Sequence, residues 1–409
     1  MQYSIVAPSQ ARGKGNASPI QTTMLNTAVP GIRSAKMMHD FGVSSSHTII
    51  MDLPLSLDPL NLAKNKAVVA YDPIQPSRFG VFPRYEPDRV RWYETNACCI
   101  FHTANSWDSN IKSSGYGGQE CVAVNMLACR LTSAALVFSA GDLAAPVVTH
   151  RLPARFQEKE QCRLYYYQFL LSPIPEEIRL HDEETPTHQW ALSAIPFEFP
   201  SLRDSVSMSA AKYIYGCSVS GSSFGAALGR AVKINSLVKV DVETLIERGR
   251  NNPPTPVTGC VDTRNVGEIV QSNDPKDPIK IFMMPPGWCA QESRFVPRED
   301  GISEDDGWLL SYVFDESQLG RDGECQPDAK SELWVINALS MTDVIARIRL
   351  PQRVPYGLHG NWFSEEDIQN QRPVKRLRTL PRVEGDTAHS SSVWKSWMGV
   401  RNALETWLA

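Results

Sequence analysis

The chain has 409 residues, of which 42% are hydrophobic, and its formal net charge at pH 7 is −4. This length and apolar content suffice for one large domain or two with a sizeable core, and the slightly acidic balance gives no basic surface for nucleic acid, which excludes that partner class. The nine cysteines are scattered without a Cys-x-x-Cys pair, which indicates reduced thiols and argues against a disulfide framework or a structural zinc site.

The first 35 residues differ in composition from the rest of the chain. Residues 1–35 are rich in Gly, Ser, Pro, Gln and Thr and predict an irregular start. Residues 1–16 lack the apolar core of a secretory signal, and the longest apolar stretch, residues 121–148, is interrupted by Arg130 and Asp142. We therefore predict a cytoplasmic protein with no membrane span.

Residues 36–363 alternate short runs of β-branched, aromatic and aliphatic residues with clusters of Pro, Gly, Asn and Asp. This pattern predicts many short strands joined by turns, as in an all-β sandwich, barrel or propeller. The 29 prolines argue against long helices. The predicted strands are 47–55, 67–71, 78–82, 90–93, 97–102, 164–171, 212–215, 279–284, 308–314, 333–338 and 344–350.

Two segments have apolar residues at helical spacing. Residues 118–131 suit a helix, although the same residues also suit a buried strand. Residues 392–408 place tryptophans and leucines on one helical face, with Ser392 as the N-cap, and predict an amphipathic helix that docks on the domain, a partner or a lipid surface. We expect three regions: an irregular start at 1–35, the main domain at 36–363, and a polar tail with this helix at 364–409.

Three histidines follow apolar residues and precede small or turn-forming ones, namely His39, His102 and His359. Each alone is more often a core residue than a ligand. Because imidazole is the commonest neutral ligand for divalent transition metals, together they predict a metal site that the fold must gather. Glu198 and Glu292 lie in apolar surroundings, where a buried carboxylate needs a partner such as an imidazole N–H.

These residues lie in segments that resemble the carotenoid cleavage oxygenases, a family with stilbene-cleaving and retinoid-isomerising members. The matches occur in the family's order and cover roughly residues 36–363. They are 37–41 (MMHDF), 101–102 (FH), 197–200 (FEFP), 292–297 (ESRFVP), 304–311 (EDDGWLLS) and 358–360 (LHG). Six ordered matches are far more specific than any one of them.

The resemblance implies an all-β, seven-bladed β-propeller with a capping dome of loops and short helices. It also implies a non-haem Fe(II) held by four histidines that are supported by three glutamates. Carried over by position, His39, His102 and His359 are the second, third and fourth ligands, Glu198 orients His102, and Glu292 orients His359. The implied reaction is cleavage by O2 of a conjugated double bond of a carotenoid or apocarotenoid into two carbonyl products.

Other functions stay open beside this one. Cleavage of a stilbene or lignostilbene is the first alternative, and a catalytically inactive propeller that only binds a ligand is the second. A zinc hydrolase is weaker, because the sequence has no HExxH helix. An apolar substrate of this kind is often collected at a membrane, and the C-terminal Trp-rich helix is the candidate for peripheral membrane contact.

The sequence departs from the family pattern at its N-terminal side. The resemblance implies a histidine and a glutamate upstream of His39, and residues 1–35 contain neither. The expectation is therefore a truncated product or incomplete gene model that lacks one ligand and one or two N-terminal blades. Of the other histidines, we predict that His47 faces away from the site. The remaining ones, expected in solvated polar loops, are His150, His181, His188 and His389.

Overall fold

The computed structural model describes residues 1–5, 24–32, 34–63, 68–113, 118–134, 161–171, 183–220, 224, 233–356 and 359–371. The chain divides into two compact units, Met1–Asn361 and Trp362–Ala409. All of the features discussed below belong to the first unit, except the helix at Glu365–Gln369, which lies in the second. Within the described residues the fold is mostly β, with four sheets of four or five strands and two smaller strand pairs.

The N-terminal part of the chain forms both strand pairs and all but one strand of two larger sheets. The pairs are β1 (Gln2–Ile5) with β2 (Met24–Ala28), and β5 (Leu55–Leu57) with β6 (Val69–Tyr71). The first sheet contains β3 (Gly42–Val43), β4 (His47–Asp52), β7 (Ser77–Pro83), β8 (Arg91–Thr95) and β12 (Glu183–Glu184). The second contains β9 (Cys99–Ser113), β10 (Gln119–Leu131), β11 (Cys162–Leu171), β13 (His188–Ser193) and β17 (Cys260–Asp262).

The C-terminal half forms two further sheets. The third contains β14 (Glu198–Ser201), β15 (Tyr213–Ser218), β16 (Ser236–Asp241) and β18 (Ile279–Met283). The fourth contains β19 (Trp288–Ala290), β20 (Arg294–Pro297), β21 (Gly307–Asp315), β22 (Glu332–Asn337) and β23 (Val344–Arg349). Paired strands are antiparallel except for β8 with β12 and β13 with β17. Each predicted strand overlaps an observed one, so the expectation of an all-β class is confirmed as a mostly β fold; the seven-bladed propeller stays a prediction.

Four α-helices occur in the described residues: α1 (Leu60–Ala63), α2 (Val242–Asn251), α3 (Val266–Val270) and α4 (Glu365–Gln369). Single 3₁₀ turns lie at Pro87–Arg89, Asp204–Val206 and Glu316–Gln318. The first residue after β16 begins α2, whose N-cap Asp241 accepts a hydrogen bond from the Thr244 N–H. No helix among the described residues is long and apolar enough to cross a membrane.

The helix predicted at residues 118–131 is wrong, because this segment is strand β10. It pairs with β9 on one side and β11 on the other, and its residues from Ala123 to Leu131 are all buried. A strand that is buried on both faces loses the polar alternation that would distinguish it from a buried helix. The continuous ladder on both edges satisfies its backbone, which decides in favour of the strand.

Two other regional predictions also change. Residues 1–35, expected to be irregular, contain the antiparallel pair β1 and β2. The polar segment after residue 363 contains α4, which starts with a capping box between Ser364 and Asp367. The amphipathic helix predicted at 392–408 lies outside the described residues.

The largest apolar core runs from the second sheet to the fourth and includes Leu127, Trp190, Leu237 and Trp334. A separate core packs the first sheet on the second. Helix α2 contributes its buried face to the larger core, where Gly249 lies against Trp190 so closely that an added Cβ would come within 2.4 Å of the ring.

Replacement of Gly249 by alanine should destabilise the fold even though alanine is the better helix former. The gain in helix propensity is about 1 kcal/mol, whereas forcing Trp190 off its position costs roughly 1–3 kcal/mol. Thermal unfolding should show a lower melting temperature for Gly249→Ala and no loss for Glu247→Ala, an exposed position on the same helix. A melting temperature for Gly249→Ala above that of the wild type would contradict the tight contact.

Candidate metal centre

The fold brings together the three histidines that were predicted as ligands. One ring nitrogen each of His39, His102 and His359 lies within 4.8 Å of the other two. The Nε2 atoms of His102 and His359 are 3.3 Å apart, and the ring centroids of His39 and His102 are 5.1 Å apart. His39 lies just before β3, His102 lies on β9, and His359 follows the fourth sheet.

The outer nitrogen of each ring is held by a hydrogen-bond acceptor. His39 Nδ1 is 2.9 Å from the Phe101 carbonyl oxygen. His102 Nδ1 is 2.6 Å from Glu198 Oε2, and His359 Nδ1 is 2.6 Å from Glu292 Oε2. Because these partners accept, each Nδ1 carries a proton, which leaves each Nε2 available to bind a metal or a further proton.

The two Nε2 atoms at 3.3 Å need a proton or a metal cation between them, because two bare lone pairs at this distance would repel each other. The donor set therefore fits a divalent transition metal, for which neutral imidazole is a preferred ligand, and the Nδ1 contacts are the kind that fix the ring orientation of a metal-bound histidine. The geometry places Glu198 and Glu292 on the two histidines that the resemblance assigned to them.

Glu198 is the more deeply buried of the two carboxylates, with a side chain only 1% exposed. Its Oε2 accepts hydrogen bonds from His102 and from the Phe199 N–H at 2.7 Å. Burial alone would lower the pKa of His102, but the hydrogen bond to Glu198 and the charges of Glu198, Asp40 and Glu292 together outweigh it and raise that pKa. The carboxylate therefore favours positive charge at the site.

Glu292 belongs to a segment that holds the chain near His359 at two points. The Gln291 side chain donates from Nε2 to the Pro355 carbonyl oxygen at 2.9 Å, next to the bond between Glu292 and His359. The Ser311 hydroxyl donates to the Gln291 carbonyl oxygen at 2.8 Å and so fixes Gln291 itself. Sequence reasoning missed Gln291, although Ser311 lies in the matching segment 304–311 and was a signal that this segment supports the site.

An aromatic side chain faces the cluster. The Phe199 ring centroid lies 5.4 Å from that of His102 and 6.0 Å from that of His359. Phe199 has a φ of 54°, in the left-handed region that is costly for a bulky residue. This backbone strain persists because it points the N–H of Phe199 at Glu198, and strain of this kind concentrates at functional sites.

The other described histidines lie elsewhere. His47 pairs through Nδ1 with Asp108 Oδ1 at 2.8 Å and is not part of the cluster. The prediction of a solvated loop is wrong for His188, which begins β13 and is half-buried against the rings of Tyr166 and Trp190. Tyr166 comes from the neighbouring strand β11 and could not be inferred from the sequence around His188, whereas Trp190 lies two residues further along β13. His150, His181 and His389 lie outside the described residues.

The fold and this cluster define a mostly β protein with a histidine centre suited to a transition metal. The sequence matches the RPE65 family, described as retinal pigment epithelial membrane protein, over residues 1–364. The chain therefore belongs to this family, that of the carotenoid cleavage oxygenases, as its sequence motifs indicated.

Two curated relatives give the extent of the similarity. The carotenoid dioxygenase carX of Gibberella fujikuroi is 50% identical, over 96% of this chain and 60% of the relative. The carotenoid 9,10(9′,10′)-cleavage dioxygenase of Crocus sativus is 31% identical, over 83% of this chain and 51% of the relative. The chain thus spans between half and three-fifths of the length of these relatives.

Two solved structures share the fold. A variant of the Synechocystis apocarotenoid oxygenase aligns with a TM-score of 0.52 and 18% identity, over 81% of this chain and 54% of that one. The lignostilbene dioxygenase of Pseudomonas brassicacearum aligns with a TM-score of 0.53 and 20% identity, over 80% of this chain and 54% of that one. At these identities the likeness supports the fold alone.

The protonation of His102 gives a direct test of its contact with Glu198. In the metal-free protein, NMR titration should find the pKa of His102 above its ordinary value, and Glu198→Gln should lower that pKa, because burial remains while the charge of Glu198 is lost. As the folded-state pKa is raised, the stability from protonated His102 is fully present below pH about 6.5 and is lost as the pH rises through the folded-state pKa.

His188 is the internal control for this titration. Burial lowers the pKa of His188, and its neighbours do not include Glu198, so Glu198→Gln should leave it unchanged. A pKa for His102 that is equal in the wild type and in Glu198→Gln would mean that the two side chains do not interact in solution.

Proposed function

We propose that this chain is a non-haem Fe(II)-dependent dioxygenase that cleaves a conjugated C=C bond of a carotenoid or apocarotenoid into two carbonyl products. The observation that carries the proposal is the convergence of one ring nitrogen from each of three histidines, whose rings are each anchored through Nδ1. Membership in a family of non-haem iron oxygenases supports iron as the metal. On this proposal His39, His102 and His359 hold the metal, and the four sheets belong to the predicted propeller.

The two glutamates adapt neutral imidazoles to a divalent cation. Glu198 and Glu292 each accept from the outer nitrogen of a ligand, which makes the inner nitrogen a better electron donor. Their two negative charges also offset the charge of a divalent metal at short range. Bound Fe(II) would supply the electron and the open coordination positions that reaction with O2 requires.

A polyene substrate suits the apolar side of this site. The ring of Phe199 stands over two of the three imidazoles, and Phe224, fully buried, lies 6.2 Å behind it between ring centroids. Flat apolar rings bind a conjugated chain by contact area without requiring polar groups. Carotenoid is favoured over stilbene because the curated relative at 50% identity is a carotenoid dioxygenase, whereas the lignostilbene dioxygenase shares only the fold.

The test is iron content together with O2-dependent bleaching of a carotenoid by the purified chain. The proposal requires that these three histidines hold iron without the upstream ligand that the family pattern implies. We then expect one iron per chain, aldehyde or ketone products, and loss of activity on chelation that Fe(II) restores. His102→Ala should lower both iron content and activity by more than about 100-fold, since loss of an outer partner alone costs about 10–100-fold. His47→Asn, which keeps a donor toward Asp108, is the matched histidine control and should retain both.

Three outcomes would change this proposal. Full activity in the chelated chain, or no iron binding by the wild type, would contradict an iron enzyme. Cleavage of a hydroxystilbene without cleavage of any carotenoid would move the substrate to the alternative class while leaving the metal site intact.

Phe199 offers a separate test of the substrate's position. Phe199→Leu should raise KM for the polyene by roughly 3- to 10-fold, the loss expected for one aromatic contact, with iron content unchanged. Phe169→Leu removes a buried ring of the other core, where it packs on Phe79 and Tyr167. It should lower the melting temperature and leave KM as it is. An unchanged KM in Phe199→Leu would place the substrate elsewhere.

A further inference from the structure

Strand β9 is irregular at the point where it presents His102. Its register with β10 shifts twice around Thr103. The paired residues are Ile100 with Arg130, Thr103 with Ala128, and Asn105 with Leu127. Between Ile100 and Thr103, two residues of β9 therefore lie opposite one residue of β10. Between Thr103 and Asn105, the one residue of β9 has no residue of β10 opposite it. Bulges of this kind redirect side chains and leave backbone groups without a partner in the ladder.

Asp40 supplies the partner for the bulged segment. Its Oδ2 accepts from the Thr103 N–H at 2.7 Å and from the Thr103 hydroxyl at 2.7 Å. Its Oδ1 accepts from the Phe41 N–H at 2.7 Å. Both oxygens of the Asp40 carboxylate thus accept hydrogen bonds. The Oδ2 bonds join the loop that carries His39 to the strand that carries His102, and the Oδ1 bond lies within the loop. Hydrogen bonds to an ionised acceptor are stronger than neutral ones.

The neighbouring residue completes a clamp around His102. His39 Nδ1 bonds to the carbonyl oxygen of Phe101, and Asp40 bonds to Thr103. Two consecutive residues of the loop therefore hold the residues immediately before and after His102. This arrangement leaves little freedom for the His39 imidazole to move relative to the His102 imidazole.

We propose that Asp40 is a positioning residue of the metal centre, which sets the separation of the His39 and His102 Nε2 atoms without touching the metal. The inference rests on the metal site of the proposed function. It assigns a role to a carboxylate other than the two that contact the imidazoles, and it makes metal affinity depend on a contact between backbone segments.

The chain contains a matched control on the same strand. Asp108, also on β9, accepts from the Ser44 and Ser45 hydroxyls and the Ser46 N–H, and it pairs with His47. Asp108 connects strand β9 with the loop that follows β3, much as Asp40 connects strand β9 with the loop that precedes β3. Its bonds do not flank His102, so its loss should affect stability and leave the histidine geometry unchanged.

The experiment is a titration of the metal-free full chain with Co(II). Binding is measured by the visible d–d absorption of the bound Co(II), which reports the geometry of its ligands. Asp40→Asn keeps the shape of the side chain, but it leaves one acceptor oxygen where the carboxylate uses one oxygen for Phe41 and the other for Thr103. We expect it to weaken Co(II) binding by about 10- to 100-fold, as for other groups that orient ligands, and to change the d–d band. Thr103→Val, which loses only the hydroxyl, should have a smaller effect in the same direction.

Asp108→Asn should lower the melting temperature at least as much as Asp40→Asn does, with Co(II) affinity and the d–d band unchanged. If Asp40→Asn does not fold by circular dichroism, Thr103→Val carries the test alone. The role of Asp40 would be overturned if the wild type binds one Co(II) and a folded Asp40→Asn binds it with the same affinity and the same d–d band. Where only Thr103→Val folds, the same result for that variant would overturn it. Failure of the wild type to bind Co(II) would instead overturn the metal site and, with it, the proposed function.

Discussion

The hydrogen bond between His102 and Glu198 is the contact on which the rest of the site depends. A carboxylate that is 1% exposed is very costly without a partner, and the partner must come from another sheet. The second sheet carries His102 on β9, and the third sheet carries Glu198 at the first residue of β14. The two sheets therefore have to meet at this edge, and the left-handed backbone of Phe199 is tolerated because it gives the same carboxylate oxygen a second donor.

The three ligand anchors are all long-range contacts. They join residues separated by 62, 96 and 67 positions in the chain, so no local segment can form the centre before the sheets assemble. The anchors also differ in depth. The side chain of His102 is 16% exposed and that of His359 is 50% exposed. A deep, rigid side and an open side are what a site needs if it must hold a metal and also admit a reactant.

Most of the strands could be predicted from the sequence, because a short apolar run between turn-forming residues is too short for a helix and is usually a strand. The pattern failed at β10, where burial on both faces removes the periodicity. It gave no prediction for α2 and α3, although their caps at Asp241 and Asn265 are residue types that favour a helix start. The histidines were identified through motifs and not through spacing. Gln291 and Asp40 could not be assigned roles in advance, because each acts on a backbone group whose position depends on a strand register or a bulge.

The charges of the site explain why two of its three anchors, those of His102 and His359, are glutamates, while His39 is held by a neutral carbonyl. Three neutral imidazoles around a divalent cation leave two positive charges, and Glu198 with Glu292 cancels them. Without a metal, only hydrogen bonds and protons offset the charge of these two carboxylates. Burial then raises the pKa of Glu292 against the pull of His359, and Glu198 raises the pKa of His102 against the effect of burial. Both shifts draw protons into the metal-free centre. Because a metal must displace those protons to bind, its affinity is linked to pH through the glutamates that make the imidazoles good ligands.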